Sequence, residues 1–164
     1  MFDRKIVAAA TSVLATCRAN KLGATTAESC TGGLVAGALT AIAGSSDVVD
    51  RCFVTYSNDA KRELLGVPWE ALLGYGAVSE PVARAMAAGA LARTGAAVAV
   101  AVTGIAGPGG GTATKPVGLV HFAAARRGGL TLSEKHVFAG DRDAVRRQAT
   151  LLALQLLDRA ARQA

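Results

Sequence analysis

The sequence predicts an α/β fold, a three-layer α/β/α sandwich around a mixed, mostly parallel sheet, and three observations predict it. Helix-like and strand-like stretches alternate along the chain. Ala96 to Val102 is continuously apolar, the pattern of a strand buried on both faces. Toward the C-terminus, Val117 to Ala124 and Leu130 to Phe138 flank Arg127-Gly128-Gly129 and read as a hairpin. No internal repeat, low-complexity tract or linker interrupts the 164 residues, so the expectation is one domain over residues 1–164. A domain of this size buries about two-thirds of the surface its unfolded chain exposes.

Each element has a local cause. Asp3 caps a first helix from Arg4 to Asn20 with Ile6, Val7, Ala10, Val13, Leu14 and Cys17 on one face, and Gly23 stops it. Ala24 to Glu28 is β-prone and leads into Ser29, after which Thr31-Gly32-Gly33 opens a helix running to Ile42. Gly44-Ser45-Ser46 is a loop, and Cys52 to Tyr56 a second strand. Asn58 caps a helix from Asp59 to Leu65 that Gly66 ends, and Gly74 to Val78 turns the chain. Ser79-Glu80-Pro81 supplies a cap and an early proline for an alanine-rich helix ending at Thr94-Gly95. Asp141 caps the last helix, which carries Val145, Leu151, Leu152, Leu156 and Leu157.

Composition narrows the functional classes. Apolar residues make up 51% but aromatics only 4%, so the core is built from Ala, Val and Leu. Mean hydropathy is positive at +0.34, yet no uncharged apolar stretch reaches the about 18 residues of a membrane span. The opening Phe2-Asp3-Arg4-Lys5 does not read as a signal peptide, and cytoplasm is the expected compartment. Cys17, Cys30 and Cys52 form neither a disulfide framework nor a zinc pattern. His121 and His136 sit in strand-like surroundings and read as structural. Much of the +6 net charge lies in Arg142, Arg146, Arg147, Arg159 and Arg162 on the last helix. That charge suits a phosphorylated small molecule or a solvated face; few aromatics and no nucleic-acid motif argue against nucleic acid.

Ser29 is the first candidate for chemistry. A serine between a strand and a glycine-opened helix stands at the carboxyl end of the strand, where open α/β sheets place their sites. The first-turn amides of Thr31, Gly32 and Gly33 can face a developing oxyanion. Ser29 as a plain helix cap is the competing reading, and Cys30 the competing nucleophile. Lys61, in Tyr56-Ser57-Asn58-Asp59-Ala60-Lys61, is the candidate base. Near a helix N-terminus its ammonium form is disfavoured; a solvated surface lysine is the alternative. Tyr56 can relay or orient a proton, or be an ordinary strand tyrosine. The glycine loop after Thr103 lacks the Lys-[Ser/Thr] of a P-loop and opens no helix. It can cradle an anion with Lys115 or Arg142 supplying charge, or be a flexible surface loop.

Taken together, Ala27-Glu28-Ser29-Cys30-Thr31-Gly32-Gly33, Tyr56-Ser57-Asn58-Asp59-Ala60-Lys61, Gly76-Ala77-Val78-Ser79-Glu80, Thr103-Gly104-Ile105-Ala106-Gly107-Pro108 and Lys115-Pro116-Val117-Gly118 resemble one family. It is the C-terminal domain of the competence-damage-inducible CinA proteins, whose stand-alone members are nicotinamide-nucleotide amidohydrolases. The segments run in order from residue 27 to Gly140-Asp141-Arg142, across nearly the whole chain. The resemblance implies an α/β/α homodimer that hydrolyses the carboxamide of nicotinamide mononucleotide without metal or cofactor, in pyridine nucleotide salvage. By position, Ser29 matches the nucleophile, Lys61 the base and Tyr56 its partner. Thr103, Gly104, Gly107 and Gly109 match the substrate pocket, and Arg142 a phosphate contact. Cys52 departs from the pattern, which has a glycine there, and nothing here corresponds to the N-terminal domain of full-length CinA proteins. The competing class is a non-catalytic nucleotide-binding module, which needs neither Ser29 nor Lys61.

Overall fold

In the computed structural model, which describes residues 1–163, five strands make one sheet. They are β1 (Ala24–Glu28), β2 (Phe53–Val54), β3 (Val98–Gly104), β4 (Leu119–Arg126) and β5 (Thr131–Val137), in the order β2-β1-β3-β4-β5. β1 pairs in parallel with β2 and β3, whereas β4 runs antiparallel to both of its neighbours. β5 therefore points along β1 again, and β4 alone opposes the rest.

Helices cover both faces. α1 (Arg4–Ala19), α2 (Leu34–Thr40) and α6 (Arg142–Ala161) lie on one side; α3 (Asn58–Leu65), α4 (Trp69–Tyr75) and α5 (Glu80–Ala92) lie on the other. The two-residue alternation of a strand divides β3 between them. Val98, Val100 and Val102 pack toward α1 and α6, while Ala99 and Ala101 pack toward α5. Small side chains on the second face let the alanine-rich α5 approach closely. At the closest point, a Cβ on Gly89 would lie 2.0 Å from the Leu65 carbonyl oxygen, so α5 and the end of α3 meet backbone to backbone. Among the described residues no helix is long and apolar enough to cross a membrane.

The predicted caps at Asp3, Ser79 and Asp141 are in place, each accepting a backbone N–H of its helix. Other boundaries differ, for identifiable reasons. Lys21, at φ 54°, makes the left-handed turn after α1, and the Gly23 carbonyl instead accepts from Ala97 and Val98. Val7 is 39% exposed rather than on the core face. α3 is capped by Ser57, not Asn58. The second strand shrinks to Phe53–Val54: the Thr55 N–H still donates to the Glu28 carbonyl (2.8 Å), but the Thr55 carbonyl turns to Lys61 and the ladder goes no further. α4 occupies the stretch before Gly76, where Gly74 signals only a turn.

α2 begins at Leu34, after a turn whose Gly33 holds φ 99°. Its capping group is the fully buried carboxylate of Glu28, on the strand before the turn. Oε2 accepts from Gly33 N–H (3.0 Å) and Val35 N–H (3.1 Å), and Oε1 from Ala36 N–H (2.8 Å) and Thr26 Oγ1 (3.2 Å). Amides that a helix N-terminus leaves unpaired are thus satisfied by an anion, which the helix dipole also favours. Glu28→Gln keeps the shape but turns an NH2 donor toward backbone donors. We expect it to lower unfolding free energy in urea by about 1–3 kcal/mol, the cost of stranding buried polar groups; a loss under about 0.5 kcal/mol, the size of a surface change, would contradict this account.

Candidate active site

β1 delivers Ser29 to the site. Its N–H donates to the Val102 carbonyl (2.9 Å), which draws the turn against β3, and its side chain is buried. Facing it from the first turns of α3 is Lys61, only 1% exposed. Lys61 Nζ lies 3.0 Å from Ser29 Oγ and 2.7 Å from the Thr55 carbonyl oxygen, and no carboxylate pairs with it among the described residues. Burial pushes the Lys61 ammonium down to about 8, opposed only by the neighbouring Cys30 sulfur. The cause is loss of water more than the helix end on which the sequence argument rested: an ammonium has three donors to satisfy and here finds two acceptors.

Cys30, the competing nucleophile, is 5% exposed and packs in the core under α1 and α6. Burial pushes its thiol up to about 12, so it stays protonated. A thiol held neutral is a poor nucleophile.

Ser29, Cys30 and Lys61 open onto a cavity of about 290 Å³, the size of a small-molecule site. Thr103, Gly104, Gly107, Gly109, Tyr56 and Arg142 share its wall, so the structure brings these predicted residues together. Thr103 is buried and donates from Oγ1 to the Ala77 carbonyl (2.9 Å), which fixes the Ala77-Val78 wall. Gly104 is required by packing: a Cβ there would lie 2.7 Å from Val120 Cγ2. Arg142 spans the mouth, with Nη1 on the Gly107 carbonyl (2.7 Å) and Nη2 on the Tyr56 hydroxyl (3.0 Å).

Several expectations change. Tyr56 is 63% exposed and its hydroxyl is held by Arg142 rather than bonded to Lys61 or Ser29. With β2 ending at Val54, Tyr56 stands at the rim. Thr31, Gly32 and Gly33 do not line the cavity. The Gly33 amide belongs to Glu28, and the Gly32 amide donates to the Ser29 carbonyl (3.0 Å). Among the described residues, the amides left without a partner in the turn are those of Cys30 and Thr31, and Cys30 is at the cavity wall. Lys115 does not reach the cavity; its Nζ donates to the Tyr75 carbonyl (2.6 Å) and pins the far end of the glycine loop to α4. His121 and His136 also stand outside the cavity wall. Sequence reasoning missed Glu28, Asn58 at the cavity wall, and Arg146, which reaches the carbonyls of Cys30 and Thr31. An acidic residue directly before a Ser-x-x-Gly-Gly turn was the available signal for Glu28.

The model of the CinA C-terminal domain matches residues 7–161. A nicotinamide-nucleotide amidohydrolase of Enterobacter agglomerans is 53% identical over 155 residues, covering 94% of each chain. A CinA-like protein of Mycolicibacterium gilvum is 58% identical over 135 residues, which are 82% of this chain and 32% of that longer one. The crystal structure of the competence/damage inducible protein CihA from Agrobacterium tumefaciens superposes with a TM-score of 0.96 at 52% identity, over 99% of both chains. With a family model over residues 7–161 and relatives 52–53% identical over nearly the whole chain, the chain belongs to the CinA C-terminal domain family.

Proposed function

We propose that this chain is an amidohydrolase that converts nicotinamide mononucleotide to nicotinic acid mononucleotide and ammonia, a step of pyridine nucleotide salvage, with residues 1–164 acting as one catalytic domain. The observation that carries the reading is the 3.0 Å contact between the buried amine of Lys61 and Ser29 Oγ, with no carboxylate among the described residues to hold the amine charged. The 53% identity to a nicotinamide-nucleotide amidohydrolase over the chain supports the choice of substrate. A pure binding module has no use for a buried lysine against a serine.

In this mechanism neutral Lys61 accepts the Ser29 proton as Oγ attacks the amide carbon. The pyridinium charge of the substrate activates that carbon, and the same charge disfavours the ammonium form of Lys61. The Cys30 amide receives the developing oxyanion; one such donor is worth about 3 kcal/mol of barrier. Lys61 then returns the proton to the departing amine, which leaves as ammonia. Water attacks the Ser29 ester with Lys61 again as base, releasing the acid. Arg142 at the mouth faces the 5′-phosphate, and Tyr56 orients Arg142 rather than relaying a proton.

Ammonia release from nicotinamide mononucleotide tests the reading. Ser29→Ala and Lys61→Met should each abolish turnover while nucleotide still binds; full activity in either removes the dyad, and tight binding without turnover by the wild type makes the chain a binding module.

The pH dependence follows from Lys61. Its proton must be lost for attack, so kcat/KM should climb with pH and level off above about 8. Stability should move the same way. Below about 8 both the folded and the unfolded chain hold the proton, and the folded state carries the full penalty of a buried charge. Between about 8 and the ordinary 10.5, only the unfolded chain holds it, so stability rises with pH. Lys61→Met should therefore be more stable than wild type at neutral pH, by a margin that shrinks toward pH 10.5. Urea titrations across that range check it, and a margin independent of pH would contradict the neutral-lysine account.

A further inference from the structure

One cation is built into the nucleophile turn from behind. Arg146, on the first turns of α6, is half-buried. It sends Nε to the Cys30 carbonyl (3.2 Å) and Nη2 to the Thr31 carbonyl (3.5 Å). It joins no ion pair among the described residues. A Cβ on Gly32 would lie 3.3 Å from Nη2, so the turn closes directly over the guanidinium.

A trans peptide is a rigid plane whose C=O and N–H point in opposite directions. The Cys30 carbonyl shares its plane with the Thr31 amide, and the Thr31 carbonyl shares its plane with the Gly32 amide. The Gly32 amide donates to the Ser29 carbonyl, and that carbonyl shares its plane with the Cys30 amide. Two hydrogen bonds from α6 and one within the turn therefore fix three successive planes, including those of the two amides that have no partner among the described residues. We propose that Arg146 is a positioning residue for the amide hydrolysis: it locks the planes of Ser29-Cys30-Thr31-Gly32 so that the Cys30 amide at the cavity wall is set for the oxyanion before substrate arrives. A plane free to rotate would present a carbonyl dipole to the developing negative charge, which raises the barrier rather than lowering it. Arg146 acts through the backbone and does not line the substrate cavity. Its outer side faces a separate cavity of about 190 Å³ shared with Phe2 and Leu34, so shortening the side chain leaves room for a guanidinium ion.

This inference rests on the amidase reading, and the experiment separates the two. Steady-state ammonia release from nicotinamide mononucleotide is measured for wild type, Arg146→Met and Arg146→Lys, with and without millimolar guanidinium chloride. Arg146→Met should lose about 10²-fold in kcat, the scale of a small misplacement of catalytic groups, with KM nearly unchanged. Guanidinium should restore kcat several-fold in that variant and in no other. Undiminished kcat in Arg146→Met overturns the proposal, as does a loss that falls on KM or that guanidinium leaves untouched. If Arg146→Met fails to fold, Arg146→Lys decides. Its single ammonium cannot span both carbonyls, so reduced kcat at constant KM supports the clamp and unchanged kcat overturns it. A wild type that releases no ammonia overturns both readings; turnover indifferent to Arg146 overturns this one alone.

Discussion

The carboxylate of Glu28 is the constraint from which the rest of the site follows. Buried completely, it is tolerated because backbone donors of α2 surround it, and α2 in turn has no side-chain cap of its own. Successive side chains of an extended chain point to opposite faces. With Thr26 and Glu28 committed to the α2 side, Ser29 emerges on the other, where α3 lies. One anion therefore fixes both the helix after the turn and the direction of the hydroxyl within it.

The two buried charge-bearing groups of the site are handled in opposite ways. Glu28 has four donors on its two oxygens, so its buried polar atoms are all hydrogen-bonded. Lys61 has a hydroxyl and a carbonyl and, among the described residues, no anion, so burial disfavours its charge. Pairing them as a buried ion pair would have stabilised the ammonium and removed the base. The sheet prevents it by separating them onto its two faces.

Much of this was legible in the sequence. Caps such as Asp3, Ser79 and Asp141 are local, since the side chain bonds an amide three residues on, and local chemistry can be read from a string. The buried strand β3 announced itself by the unbroken apolar run from Ala96 to Val102. Ser29 and Lys61 were visible as a pair only through the joint pattern of segments, since either alone reads as a cap or a surface residue. What the string hid is contact at a distance. Glu28 reaches amides five to eight residues ahead. Tyr56 is recruited by Arg142 from 86 residues away. The second strand does not run on to Tyr56 because the Lys61 side chain takes the Thr55 carbonyl, a competition that propensity does not register.

Topology explains why these distant groups meet. β1 has β2 on one side and β3 on the other, so the chain leaves it toward one edge and returns across it to the opposite one. That reversal opens a crevice at the carboxyl ends of β1 and β3, the place where open α/β sheets bind ligands. Ser29 follows β1 and Thr103 lies near the end of β3. Because β4 comes back antiparallel beside β3, with Gly104 opposite Val120, the intervening loop must fold over the crevice and becomes its wall. α3 supplies Lys61 from one layer, and α6 supplies Arg142 and Arg146 from the other. The site is complete only when both helical layers are docked on the sheet, so its chemistry depends on the whole sandwich rather than on the nucleophile turn alone.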